Sequence, residues 1–188
     1  IKEPEAWESE AAKGNPPTLG ELFSPTNRMT TLSGFLVAVI ALLTWWSCNA
    51  FIPVVASELA QLRVKAQGLT DIKLIQGNIE TWKTSLTYAF NAGGLIGTLL
   101  TIPAAKYLGR KWMFGLYFGL SSVSLILAFG SKAPPELQLW SWFYFAIGVT
   151  VFGIFGAFTY YLPELFPTRL RGTGSGFCYN AGRLITAI

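Results

Sequence analysis

Two stretches of this chain, residues 32–56 and 84–105, carry no charged side chain at all, and each is longer than the roughly 20 residues a helix needs to cross a hydrocarbon core. Three more follow. Residues 112–130 and 137–162 are uncharged, and residues 172–188 hold one charge, Arg183. Runs of this kind leave little choice of backbone. Where no water is present, every N–H and C=O must be bonded within the protein, and a single segment achieves that only as an α-helix. The expected class is therefore all-α, a polytopic bundle of transmembrane helices. Composition agrees, because charged residues make up 13% of the chain against about 25% in soluble domains.

The same inventory argues against other classes. The chain has no histidine, and its two cysteines, Cys48 and Cys178, lie apart inside apolar stretches. No metal-ligand spacing, nucleophile elbow or phosphate-cradling loop occurs, so no enzyme, metal or cofactor is expected. The net charge of +4 comes from basic residues scattered over short turns, which fits loops against anionic lipid and not a nucleic-acid partner. A channel would show a filter loop or charged pore rings, and neither is visible. A structural membrane subunit without transport activity stays open as an alternative.

Residues 1–31 read as a polar linker and residues 32–188 as the transmembrane bundle. Pro16-Pro17 and Ser24-Pro25 break helix in the linker, while Leu19, Leu22 and Phe23 suit a short amphipathic turn on a membrane surface. Residues 57–83 read as the longest internal loop, punctuated by Gly68 and Gly77-Asn78. The other connections, 106–111, 131–136 and 163–171, are short. The chain opens in a polar segment without Met and stops inside an apolar one, so it is expected to be a piece of a longer polypeptide. With five crossings, residues 1–31, 106–111 and 163–171 share a side and carry eight Lys and Arg, against five opposite. The positive-inside rule makes that side cytoplasmic in a cell membrane, plasma or inner, although four basic residues in 57–83 argue the other way.

Two turns carry more than topology. Gly109-Arg110-Lys111 is a tight basic turn between the second and third stretches. Residues 160–174 read Tyr-Tyr-Leu-Pro-Glu-Leu-Phe-Pro-Thr-Arg-Leu-Arg-Gly-Thr-Gly: a carboxylate leaves one helix, two prolines stiffen the turn, and arginines open the next. Together they resemble the major facilitator superfamily, with 109–111 similar to the loop between its second and third or eighth and ninth helices, and 163–174 to the link between its tenth and eleventh. The opening Glu3-Pro4-Glu5-Ala6-Trp7 resembles the central loop after the sixth helix. The resemblance implies helices seven to eleven of twelve, a partial major-facilitator fold, closest to the organic-anion, aromatic-acid and sugar-porter-like branches. One departure stands out: Lys106 occupies the place of the family's usual acidic residue three before the glycine, and Ile102 the place of its small residue. The resemblance also implies a gating role for Glu164, Arg110 and Arg171, with Arg169 and Gly109 in the same turns. Charge pairs there would hold one side shut and break as it opens.

Arg183 is the most informative single residue. It lies about 16 Å along a helix from Gly172, near the middle of a roughly 30 Å core. A charge at that depth faces a cavity or a partner. Asn180 and Gly176 share its stripe, and no Asp or Glu lies inside the five apolar stretches. Arg183 therefore either binds the carboxylate of an organic anion through its planar fork, or pairs with a carboxylate elsewhere in a longer protein. Asn49 and Trp45 on the first stretch, and Tyr88 and Asn91 on the second, are further candidates for lining a substrate cavity. Trp45 serves equally as a packing or interface residue. The expected function is secondary active transport of a small organic anion by alternating access, with protons as a candidate coupling ion. A sugar or other neutral or cationic metabolite is the alternative cargo.

Overall fold

The computed structural model describes residues 16–130, 138 and 140–187, and those residues are helical almost throughout. The elements are a 3-10 turn at Leu19–Phe23, then α1 (Arg28–Ala66), α2 (Ile72–Leu108), α3 (Arg110–Phe129), α4 (Ser141–Glu164), a 3-10 turn at Thr168–Leu170 and α5 (Arg171–Thr186). Four of the helices, α1 to α4, are long and apolar enough to cross a membrane. The described part of α5 is 16 residues, about 24 Å. Residues 1–15 of the expected linker and the expected connection 131–136 lie outside the described residues.

The stretch 57–83 differs from its reading as a loop. It is helical except for residues 67–71. Helix α1 has 39 residues and α2 has 37, about 58 and 55 Å, against roughly 30 Å of hydrocarbon. The two helices thus continue as a polar hairpin beyond the apolar stretches. Its turn is made by Gly68 at φ 67°, and α2 starts at Asp71, whose carboxylate accepts the backbone N–H of Lys73 at 2.8 Å. That is an N-cap, satisfying a donor the helix cannot satisfy itself. Arg63 of one arm lies 4.9 Å above the ring of Trp82 on the other.

The described residues form two compact units, one up to Leu43 together with those from Phe158 onward, the other Thr44–Ala157. In the second unit, Cys48, Ile52 and Leu59 of α1 pack with Leu86 and Phe90 of α2 and Tyr144, Ile147 and Val151 of α4. Helices α2 and α4 touch backbone to backbone. A Cβ on Gly93 would strike the carbonyl of Phe145, one on Gly97 the carbonyl of Val149, and one on Gly148 the carbonyl of Phe90. Without a hydrophobic drive between helices in lipid, such close approach is what dispersion and packing need. From Gly93–Phe145 through Gly97–Val149 to Thr101–Gly156 the contacts advance along both helices, so α2 and α4 run parallel, as alternate members of an up-and-down series do. Tyr117 of α3 fills the notch at Gly153 and donates its hydroxyl to the Gly97 carbonyl at 3.1 Å.

In the first unit, the N-terminal part of α1 runs parallel to α5. A Cβ on Gly34 would come within 3.3 Å of the Cys178 sulfur, and one on Gly182 would meet Val39 and Leu42. The end of α4 joins them through Phe158, whose ring meets Tyr179 at 6.4 Å, and through Leu162 beside Gly34.

Candidate functional site

The buried face of α5 is Gly174, Cys178 and Gly182. Arg183 and Asn180 lie on its exposed face, so the guanidinium points away from the unit's own core. The ring of Tyr179 lies 5.9 Å from the guanidinium carbon, a distance at which a cation interacts with the π face. Asn180 donates its amide to the Gly176 carbonyl at 2.9 Å. Asn49 does the same to Trp45 at 2.9 Å and Asn91 to Thr87 at 2.8 Å. All three asparagines thereby meet part of their polar demand on their own helix. An amide in a span is, for that reason, a weaker pointer to substrate than Arg183.

On α2, Tyr88 and Asn91 share one exposed face, three residues apart, and Tyr88 is 71% exposed. Trp45 is different. Its ring packs edge-on against Trp46 at 4.9 Å and Phe152 at 5.8 Å, and lies 5.8 Å from Phe155, while its Nε1 is buried with no hydrogen-bond partner. That is the environment of a packing residue.

The two turns have the local geometry their residues suggest. Gly109 sits at φ 78°, a left-handed value that side chains avoid, and links α2 to α3 without a spare residue. It places Arg110 and Lys111 in the first turn of α3. At the other turn, α4 ends at Glu164, Pro167 precedes the 3-10 turn, and Arg171 opens α5. Arg171 donates Nε–H to the Phe166 carbonyl at 3.4 Å, and Gly174 leaves room for the Phe166 ring. Arg169 forms an ion pair with Glu21.

Glu21 was not among the expected residues. Its carboxylate accepts both the backbone N–H and the hydroxyl of Thr18, each at 3.1 Å. The Thr18 N–H first, and Arg169 next, hold its carboxyl below the usual carboxylate range. The signal was present in the sequence: Thr18-x-x-Glu21 is a capping-box spacing ahead of a short helical turn. Among the described residues, no three His, Cys, Asp or Glu side chains are grouped to hold a metal.

Over 98 residues the chain is 46% identical to a protein of Cupriavidus pinatubonensis (strain JMP 134 / LMG 1197) named a probable 4-methylmuconolactone transporter. The match covers 50% of this chain and 22% of that protein's length. No solved structure matches the chain significantly. The Major Facilitator Superfamily profile matches residues 1–188, the full chain, and with its apolar helices and two turns the chain belongs to that superfamily.

Proposed function

We propose that this chain is part of a secondary active transporter that moves a small organic anion across a cell membrane by alternating access. The observation that carries the reading is Arg183, a guanidinium on the outward face of α5 with Asn180 beside it. A cation at this depth needs a counter-charge, and the apolar stretches of this chain contain no Asp or Glu. A carboxylate-bearing solute meets that need with a bidentate fit. In the other unit, Tyr88 and Asn91 on α2 and Asn49 on α1 are proposed separately, each on its own helix, as aromatic and amide surface for a ring-bearing solute. The relative's name, a probable 4-methylmuconolactone transporter, supports a small cyclic organic cargo. Glu164 and Arg171 at one turn, and Arg110 at the other, are the charges proposed to bias the closed state. Arg169 is the variation on that scheme, because Glu21 is its partner. If protons drive transport, the titrating carboxylate lies outside the apolar stretches of this chain.

The test is uptake of radiolabelled aromatic carboxylates by the full polypeptide in vesicles. Arg183→Ala abolishes saturable uptake of anions, and Arg183→Lys raises KM because a point charge replaces a planar fork. Normal uptake with a normal KM in both variants removes Arg183 from the binding site. Uptake of a neutral sugar that is indifferent to Arg183 favours the alternative cargo.

A further inference from the structure

We propose that residues 18–27 form a strap that fastens the start of α1 to the start of α5, with the Glu21–Arg169 ion pair as its catch. The strap is a built structure. Leu22 is fully buried in a segment whose neighbours Leu19 and Phe23 are more than half exposed. The Leu22 carbonyl accepts the hydroxyl of Thr31, nine residues on, at 2.8 Å, and Thr31 is itself buried. The Thr31 carbonyl in turn faces the Cys178 thiol, Sγ to oxygen 3.6 Å. Asn27 donates its amide to the Glu21 carbonyl at 3.1 Å, which closes the turn on itself. Phe23 meets Phe177 edge to face at 5.4 Å. The catch joins residues 148 positions apart in sequence.

The parts differ in strength, and that difference makes the strap releasable. Membrane helices are held by close packing along their length. The strap is held by one buried leucine, one buried hydroxyl bond, the Phe23–Phe177 ring contact and an ion pair whose two side chains are about a third exposed. Water and salt reach such a pair and weaken it. Opening therefore takes place locally, at the strap, before the helices part. Cys178 is 0% exposed and its thiol meets the carbonyl of Thr31, the residue whose hydroxyl the strap's Leu22 carbonyl holds, so release of the strap is read there.

The inference concerns how α5 is fastened and does not require Arg183 to bind an anion. It is tested in the full polypeptide in native membranes with N-ethylmaleimide, reading modification of the tryptic peptide 172–183 by mass spectrometry. When closing is faster than labelling, the rate follows the population of the open form. Glu21→Gln and Arg169→Gln each raise the Cys178 labelling rate several-fold, while Cys48, buried in the other unit, labels at its original rate. The double exchange Glu21→Arg with Arg169→Glu brings Cys178 back toward the original rate. Unchanged Cys178 labelling in both single variants overturns the proposal. So does a parallel rise at Cys48, which reports general loosening, or a double exchange that labels as fast as the singles.

Discussion

The backbone contact between α2 and α4 makes a prediction with two signs in one helix. Gly97 and Gly77 both lie inside α2. At Gly97 an added Cβ meets the Val149 carbonyl carbon at 2.7 Å, and the obstacle is backbone that cannot rotate away. At Gly77, in the polar arm, nothing lies within 4 Å. Overpacking a tight contact costs about 1–3 kcal/mol, and the upper end applies where the two helices must separate as rigid bodies. Alanine returns about 1 kcal/mol over glycine in a helix interior. Gly97→Ala therefore destabilises by about 2 kcal/mol net, and Gly77→Ala stabilises by about 1 kcal/mol. The assay is thermal unfolding of the full polypeptide in detergent, followed by the fraction remaining monodisperse. Gly97→Ala lowers the midpoint and Gly77→Ala raises it slightly. Shifts of the same sign, or a Gly97→Ala protein as stable as its parent, would falsify the close-contact account of α2 and α4.

Tyr117→Phe removes the hydroxyl from the Gly97 carbonyl but keeps the ring in its notch, so it costs about 0.6 kcal/mol, the average for hydrogen bonds between membrane helices, and no more than about 1.7 kcal/mol. A loss as large as that of Tyr117→Ala in the same unfolding assay would show that the ring placement, and not the bond, had changed. The Glu21 carboxyl has its pKa lowered in the folded chain. Its contribution is thus complete above the ordinary carboxylate pKa of about 4.3 and is lost as pH falls through the lower folded value. A 13C titration of glutamate-labelled protein, assigned with Glu21→Gln, should place its midpoint below the other glutamates, and Arg169→Gln should move it upward. A Glu21 midpoint within the group of ordinary glutamates would contradict the Thr18 and Arg169 contacts.

What the sequence discloses here follows the solvent. Absence of charge marks the membrane-embedded part of each helix, because desolvation penalises a charge residue by residue. It does not mark where a helix ends. Residues 57–66, Ser-Glu-Leu-Ala-Gln-Leu-Arg-Val-Lys-Ala, are polar enough to leave lipid yet rich in strong helix formers. Their buried members Leu59, Ala60 and Val64 keep a helical spacing with Ala56. Gly68 and Asp71 are the stop and start signals that bound the true turn. The charged turns were legible for a related reason: glycine at positive φ, prolines and arginines leave a pattern that packing does not erase. Glu21 was less so, because its partner Arg169 is remote in sequence and only the capping spacing is local. For the candidate site, Arg183 stands out by its cost in lipid. Trp45 does not separate from its packing neighbours until their rings are located, since an aromatic beside a cavity and one inside a cluster have the same sequence signature.

The polar hairpin at the end of α1 and α2 has a mechanical meaning. From Asp71 the ladder of α2 runs without a proline until Pro103. A rod that stiff transmits tilt to its free end, and the displacement there grows with its distance from the pivot. A small rocking of the embedded segment becomes a much larger excursion of Gly68 and its neighbours, in water and clear of lipid. The hairpin is in this sense a pointer on a dial: a fluorophore or spin label at its tip would read the angle of the helices below without touching the residues proposed to face a solute.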